Sequence, residues 1–221
     1  MLPINSVELG IIAEGSWIGT PAILIKSQGC DVGCSFCNAK ETWFKNIHMQ
    51  VAPREVVNKK EKSTQTWAQV SVEDLVDLVR EVQSPPYVVW ISGGEPCEND
   101  LFKICRALLD VGYQVAVETS GVHDFRLPQP VWVTVAPKFG QPGHRTVKSE
   151  ALQKADEVRM VVTHPDDVKD FELAMEWINP DVQEVYLQPR FGDQGAFELC
   201  AAICIQKNWK LSCQLPEVLA R

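Results

Sequence analysis

Three cysteines in one short segment are the residues of this chain best suited to chemistry. Cys30, Cys34 and Cys37 fall within eight residues with the spacing C-x3-C-x2-C, and Gly29 and Gly33 keep the intervening backbone flexible. Cysteine thiolates hold iron–sulfur clusters, and a short loop can wrap its sulfur atoms around one face of a cluster. Because a cubane cluster contains four irons, three cysteines leave one iron open to a small molecule, much as catalytic zinc sites keep an open position.

Two other uses of these cysteines stay open at this point. Two cysteines separated by two residues are a common zinc spacing, but a closed zinc site needs four ligands. The histidine nearest in the sequence is His48, and no further cysteine lies close by. A disulfide is expected mainly in oxidising compartments. The spacing therefore favours an iron–sulfur cluster over a zinc ion or a disulfide.

The composition indicates a globular chain with a net negative charge. Of its 221 residues, 45% are hydrophobic, and the formal net charge is −8. A general nucleic-acid binder would carry an excess of positive charge, and no apolar run approaches the roughly 20 residues that span a bilayer. The N-terminal residues lack the features of a signal peptide. We therefore expect a soluble, cytoplasmic protein that binds neither nucleic acid nor membrane.

Short apolar runs alternate with amphipathic stretches from residue 22 onward, which implies a parallel sheet with right-handed crossovers. Strands are predicted at 22–26, 87–91, 114–118, 131–135, 157–162, 184–187 and 210–214, and helices after Ser71 and at 101–110, 149–155, 166–178 and 196–207. Residues 1–20 are predicted to begin irregularly. Residues 40–70, which include Lys59-Lys60-Glu61-Lys62-Ser63, are predicted to form a polar, solvated insertion over the site. We expect one domain over residues 1–221.

Polar or glycine-containing segments follow four of the predicted strands. They are Ser92-Gly93-Gly94-Glu95-Pro96, Glu118-Thr119-Ser120-Gly121, Ala136-Pro137-Lys138 and Gln188-Pro189-Arg190-Phe191. Paired glycines permit positive φ and let a backbone approach a ligand closely, although an ordinary strand-to-helix turn uses the same residues. Because the carboxyl ends of parallel strands meet at one mouth, we expect these segments to form a single site with the cysteine loop.

With Phe36 directly before the third cysteine, the cysteine segment resembles the signature of the radical S-adenosylmethionine (SAM) superfamily. The resemblance implies an α/β fold, namely a partial (β/α)6 barrel. It also implies a [4Fe-4S] cluster held by Cys30, Cys34 and Cys37. In that superfamily the open iron binds SAM, and one electron from the cluster cleaves SAM to methionine and a 5′-deoxyadenosyl radical, which abstracts hydrogen from a substrate.

A narrower resemblance runs nearly end to end, to the 7-carboxy-7-deazaguanine synthases. It is carried by Pro3-Ile4-Asn5, Glu14-Gly15, Lys40-x-Thr42-Trp43, Ser92 to Cys97, Glu118 to Gly121, Trp132 to Lys138, Leu187-Gln188-Pro189 and Asn208 to Ser212. These lyases convert 6-carboxy-5,6,7,8-tetrahydropterin to 7-carboxy-7-deazaguanine with loss of ammonia, in queuosine precursor synthesis. The resemblance implies SAM and Mg2+ as cofactors, an electron donor such as flavodoxin or ferredoxin, and a homodimer.

The resemblance also assigns roles residue by residue. The residues implied in SAM binding are Phe36, Asn38, Gly93, Gly94, Glu95, Gly121, Ala136, Pro137, Lys138, Gln188, Pro189, Arg190 and Phe191. The positions implied in substrate binding are Ile11, Ile12, Ala13, Glu14, Lys26, Ser92 and Thr119. Most of the SAM positions keep the family's residue types, so we expect an intact radical generator.

The substrate positions depart from the family's pattern. Ile11-Ile12-Ala13 replaces Leu-Gln-Gly, and Lys26 replaces an arginine whose planar fork suits a carboxylate or a pterin edge. Ala39 stands where the family has a Mg2+-ligating threonine and offers no oxygen, while Asn38 replaces an aspartate. Gln214-Leu215-Pro216-Glu217 replaces Gln-Thr-His-Lys. We therefore expect a divergent member of the family, for which a Mg2+ requirement is doubtful. The alternatives are a paralogue acting on another substrate and a non-catalytic regulator with the same fold.

The remaining cysteines and histidines have more ordinary interpretations. Cys200 and Cys204 lie four residues apart on a predicted helix, with Cys213 beyond it. An auxiliary cluster is one reading, but cysteines at helical spacing on an apolar face are more often small core residues. His123 and the other histidines fall in predicted loops, where we expect them to be solvated.

Overall fold

The computed structural model describes residues 1–58, 64–85, 87–182 and 184–215. Its strands are β1 (Leu2–Ile11), β2 (Pro21–Ser27), β3 (Ala68–Val70), β4 (Val88–Gly93), β5 (Gln114–Thr119), β6 (Trp132–Val135), β7 (Glu157–Val162), β8 (Glu184–Pro189) and β9 (Lys210–Leu211). Its α-helices are α1 (Val72–Val82), α2 (Phe102–Asp110), α3 (Ser149–Gln153), α4 (Pro165–Ala174) and α5 (Gln194–Lys207). None of the described helices has the length and apolar character needed to cross a membrane.

The strands form one sheet in the order β3-β1-β2-β4-β5-β6-β7-β8-β9. From β2 to β9 every neighbouring pair is parallel, whereas β1 pairs antiparallel with both β2 and β3. This arrangement confirms the predicted α/β class. Helices make the crossovers except between β5 and β6, where the described residues 120–131 contain no helix.

The two faces of the sheet differ in what they pack against. Residues that alternate along β2, β4 and β5, such as Ile23, Val89 and Val115, pack in a large apolar core with α1 and α2. The opposite face carries a smaller apolar cluster that includes Leu24 and Trp90. Further along the strands this second face turns polar. The cavity described below lies there, at the carboxyl ends of the parallel strands, as predicted.

The N-terminal segment is not irregular, contrary to the prediction. Leu2–Ile11 forms a ten-residue strand that pairs with β2 over most of its length. Its sequence hides this because Asn5 has low strand propensity and because the polar residues Asn5 and Ser6, both buried, interrupt the apolar alternation. Only tertiary pairing reveals that these polar side chains are enclosed.

The stretch from 40 to 70, predicted as a polar insertion, combines exposed residues such as Phe44 and Ile47 with a few residues that pack in the core. It contains three short 3-10 turns and strand β3, and Val56, Ala68 and Val70 are buried in the same core as α1. Its apolar residues are too irregularly spaced to predict this packing. The predicted polar run at residues 59–63 lies outside the described residues.

Candidate active site

The cysteine loop leaves the end of β2 and is closed at its base by one buried glutamine. Gln28 accepts a hydrogen bond from the Asn5 amide of β1 (2.8 Å) and donates to the carbonyl oxygens of Glu41 (3.0 Å) and Phe44 (2.8 Å). The next two backbone amides, of Gly29 and Cys30, bond the same returning segment. The loop is therefore fixed to the sheet at both of its ends.

All three thiols of this loop are free and line one cavity. The backbone amide of Ala39 (3.4 Å) and the indole N–H of Trp43 (3.3 Å) both donate to the Cys37 sulfur, as donors do around a ligating thiolate. Burial raises the pKa of the Cys30 thiol to about 11 and also raises that of Cys34, against an opposing effect of Lys138 on Cys34. Both thiols thus keep their protons until a metal displaces them. This donor set fits an iron–sulfur cluster.

The glycine pair after β4 lies against the cysteine loop. A Cβ atom on Gly94 would come within 2.2 Å of the Gly29 carbonyl oxygen, and one on Gly93 (φ +101°) would lie 2.7 Å from the Lys26 Cα. The Gly94 amide donates to Ser27 O (3.1 Å), and the Glu95 amide donates to Gly29 O (2.8 Å). Because these glycines have no side chain, the end of β4 can lie directly against the loop that carries the thiols.

Glu95 joins the ends of β4 and β5. Its carboxylate is 1% exposed and accepts hydrogen bonds from the Cys97 amide (3.0 Å), the Thr119 hydroxyl (2.6 Å), and both the amide (2.9 Å) and the hydroxyl of Ser120. The Gly121 amide in turn donates to the Thr119 hydroxyl (3.2 Å). The predicted residues Glu95, Thr119 and Gly121 therefore form one bonded unit, in which Glu95 has four donors supplied by the protein itself.

The cavity encloses about 400 Å³ at the mouth of the sheet. It brings together most of the residues predicted from sequence: Ala13, Glu14, Cys30, Cys34, Phe36, Cys37, Asn38, Ser92, Gly93, Gly94, Glu95, Thr119, Ala136, Lys138, Gln188, Pro189, Arg190 and Phe191. Ala39 lines it as well, and no group of three His, Cys, Asp or Glu side chains in the described residues is arranged to hold a single metal ion. Of the predicted residues, those that do not line the cavity are Ile11, Ile12, Lys26, Gly121 and Pro137.

A buried arginine, Arg159 on β7, contributes to the cavity wall together with three carboxylates. Its guanidinium is paired with Glu14 (3.0 Å), Glu118 (2.7 Å) and Glu157 (2.9 Å). The other oxygen of Glu14 accepts from the Gln188 amide (2.6 Å). Glu14, predicted to face the substrate, is thus held from two neighbouring strands, β7 and β8.

The carboxylates and the guanidinium shift one another's protonation. Burial raises the pKa of Glu118 above its ordinary value; Arg159 opposes that rise, and the nearby charge of Glu14 adds to it. Burial disfavours the charged form of Arg159, but Glu118, Glu14 and Glu157 outweigh burial and raise its pKa. Arg159 therefore stays a cation, and it is the main counter-charge to Glu118.

Sequence reasoning did not single out Arg159, Glu157 or the side chain of Glu118. A signal was present, because Glu157 and Arg159 alternate within an apolar strand, and strands of a parallel sheet are buried on both faces. Charged residues at every second position of such a strand point to one buried polar face.

The outer side of the cysteine loop is covered by the segments that follow β5 and β6. Asp31 pairs with Arg145 and, at 3.1 Å, with the His123 ring, so His123 is not solvated as expected. A Cβ on Gly143 would meet Asp31 O at 2.1 Å, and the Gly143 amide donates to Val32 O (3.0 Å). These contacts hold the loop from the side opposite the cavity.

Comparison with known proteins agrees with this geometry. Residues 24–131 match the sequence profile of the Radical SAM superfamily. The 7-carboxy-7-deazaguanine synthase of Escherichia coli (strain K12) is 36% identical over 219 residues, which cover 98% of this chain and 97% of that protein. The synthase of Buchnera aphidicola subsp. Schizaphis graminum (strain Sg) is 31% identical over 218 residues, which cover 98% and 97%.

A solved structure extends the likeness to the fold. The crystal structure of QueE from Escherichia coli matches with a TM-score of 0.90 and 34% sequence identity, covering 97% of this chain and 94% of that chain. Both the superfamily match and the identity to the curated relatives span the cysteine loop. The chain belongs to the 7-carboxy-7-deazaguanine synthase family of radical SAM enzymes.

Proposed function

We propose that this protein is a radical SAM lyase that converts 6-carboxy-5,6,7,8-tetrahydropterin to 7-carboxy-7-deazaguanine. The observation that carries the proposal is the convergence of three free thiols with the family's strand-end segments on one cavity. Identity to the curated synthases over nearly the whole chain favours this reaction over the two alternatives, a paralogue acting on another substrate and a non-catalytic regulator.

The proposed roles follow the walls of the cavity. Cys30, Cys34 and Cys37 hold a [4Fe-4S] cluster, which together with SAM supplies a 5′-deoxyadenosyl radical when both are bound. The SAM-binding residues are the remaining members of the sequence-derived set, Phe36, Asn38, Gly93, Gly94, Glu95, Gly121, Ala136, Pro137, Lys138 and Gln188 to Phe191. All of them except Gly121 and Pro137 line the cavity. Glu14, Ser92 and Thr119 face the substrate from three separate elements, which fixes its orientation.

Three substrate assignments need a modified role. Lys26 shares the sheet face of Ser92, its register partner on β4, yet it does not line the cavity. Ile11 and Ile12 also do not line the cavity, and Ile12 is packed in the smaller apolar cluster with Trp90. We assign these three positions to the support of the substrate pocket. The replaced C-terminal residues Pro216 and Glu217 lie outside the described residues.

The remaining properties are part of the same proposal. The protein acts as a single radical SAM domain in the cytoplasm, as a homodimer, receives electrons from a flavodoxin or ferredoxin, and binds no nucleic acid. Mg2+ is doubtful, because Ala39 provides no side-chain oxygen at the cavity.

The test is anaerobic reconstitution of the cluster followed by incubation with SAM, dithionite and the pterin. We expect 7-carboxy-7-deazaguanine by mass spectrometry, and the same product with and without Mg2+. Equal formation of 5′-deoxyadenosine with and without the pterin, and no deazaguanine product, would favour the paralogue. A fully loaded cluster that does not cleave SAM would favour the regulator.

A further inference from the structure

Arg159 occupies a position that stability alone does not explain. Its side chain is 1% exposed, and it is the counter-charge to three carboxylates. Both Nη atoms are bonded, but the buried Nε–H has no hydrogen-bond partner among the residues that the structure describes, and such an orphaned donor is destabilising. Replacing buried ion pairs with apolar residues is often neutral or stabilising. Local violations of this kind tend to mark functional sites.

The geometry shows what the guanidinium does. One nitrogen, Nη2, is within 3.0 Å of a Glu14 oxygen and 2.7 Å of a Glu118 oxygen, while Nη1 bonds Glu157 at 2.9 Å. Glu157 is anchored in turn by the Ser16 amide (2.9 Å). The guanidinium is therefore anchored to Glu157 through Nη1. Its Nη2 atom binds two cavity-lining carboxylates that come from separate elements.

We propose that Arg159 is a positioning residue that holds the Glu14 and Glu118 carboxylates as a fixed pair of anions on the cavity wall, where they accept hydrogen bonds from N–H groups of the substrate. This inference rests on the proposed function, since it concerns the same cavity. Three carboxylates against one guanidinium leave this wall acidic, so it suits the donor edge of a heterocycle rather than the substrate carboxylate.

The expected pH dependence is set by the charged groups around Glu14 and Glu118. Glu14 follows β1, Glu118 is on β5, and Arg159 and Glu157 are on β7; Lys138, after β6, also lowers the pKa of Glu118. Tyr186 on β8 faces Glu157 and has its pKa raised to about 12, first by burial, so it stays neutral. Removing the arginine takes away the nearest cation, which opposes the rise in the pKa of Glu118, and must therefore raise that pKa further.

The experiment compares cluster-loaded wild type with Arg159→Met and Arg159→Lys. Infrared absorption of protonated carboxyl groups, followed as the pH falls, is expected to rise at higher pH in Arg159→Met than in wild type, and to stay near wild type in Arg159→Lys. The acid limb of the pH profile of kcat/KM for the pterin is expected to move the same way. At the optimum, Arg159→Met should lose about 100-fold in kcat/KM through misplaced carboxylates.

A matched control and a second variant make the result decisive. Arg126, exposed with its guanidinium 4.4 Å from the Phe102 ring centroid, does not line the cavity, so Arg126→Met should change neither curve. An unchanged infrared titration in Arg159→Met would overturn the inference. If that variant does not fold, wild-type KM in Arg159→Lys, which cannot clamp three carboxylates, would overturn it. A shifted titration in a protein whose wild type does not turn over the pterin would contradict the proposed function alone.

Discussion

Single residues at this site are constrained by backbone contact as much as by ligand chemistry. Gly94 carries an amide that donates to Ser27 O and a Cα that lies against Gly29, so its missing side chain is what lets β4 touch the cysteine loop. Glu95 then ties the same junction to β5 through Thr119 and Ser120. Sequence reasoning placed the glycine pair at a SAM site; the contact with the loop became visible only in three dimensions.

Gly94→Ala is expected to abolish cluster loading. Its Cβ would lie 2.2 Å from the Gly29 carbonyl oxygen, a backbone atom that cannot move without displacing Cys30. Iron and sulfide per chain, measured after anaerobic reconstitution, should fall to near zero. Gly19→Ala is the control: Gly19 has φ +83° but nothing within 4 Å of a Cβ, so it should cost only about 1–2 kcal/mol and load normally. Normal iron content in Gly94→Ala would contradict this view of the junction.

The position of the three thiols is determined by the secondary-structure elements that hold the cysteine loop. The cysteine loop is held on one side by β1, through Asn5 and Gln28, and on the other by the segment after β6, through Gly143. Strand β1, which was not predicted from the sequence, therefore supports the cysteine loop, which was.

Gln28→Ala tests this support. Gln28 is 0% exposed, and its loss leaves the Asn5 amide and two carbonyl groups without this partner. The Asn5 amide keeps its bonds to the Thr64 and Thr66 carbonyl oxygens. A hydrogen bond contributes about 0.5–1.5 kcal/mol net, so the loss of three should lower the free energy of unfolding by about 2 kcal/mol or more. Urea unfolding of the protein measures it, with Gln206→Ala on the exposed side of α5 as a control expected to stay within about 0.5 kcal/mol of wild type. Equal stability of the two variants would refute the supporting role.

The elements also show how far the sequence could be interpreted. The parallel strands were predictable because their apolar runs are short and bounded by turn residues, and Ser71 was predictable as the cap of α1, where its hydroxyl accepts from the Asp74 amide (3.0 Å). Cys200 and Cys204 are buried in the core against β8, as their helical spacing favoured. Strand β1 was missed because its pairing depends on long-range partners that no local pattern encodes. The alternation of Glu157 and Arg159 indicates a buried polar face, but their partners Glu14 and Glu118 come from distant parts of the chain.

At the scale of the whole molecule, one open sheet provides the entire site. Its strands and the segments after them provide the thiols (after β2), the glycine pair (β4), Glu118 (β5), Lys138 (after β6), Arg159 (β7) and Gln188 (β8). Among the described strands, the sheet is bounded by β3 and β9, which do not pair with each other. Such a mouth can take SAM and a second molecule side by side, which is what the proposed reaction requires.

Transfer of deuterium tests the central claim most directly. The loaded protein would be incubated with SAM, dithionite and 6-carboxy-5,6,7,8-tetrahydropterin that carries deuterium on its ring carbons. If the cavity holds SAM and the pterin together, mass spectrometry will find deuterium in 5′-deoxyadenosine and the deazaguanine as product, and neither will form with Cys34→Ala. 5′-Deoxyadenosine free of deuterium, or deazaguanine formed by Cys34→Ala, would contradict the account.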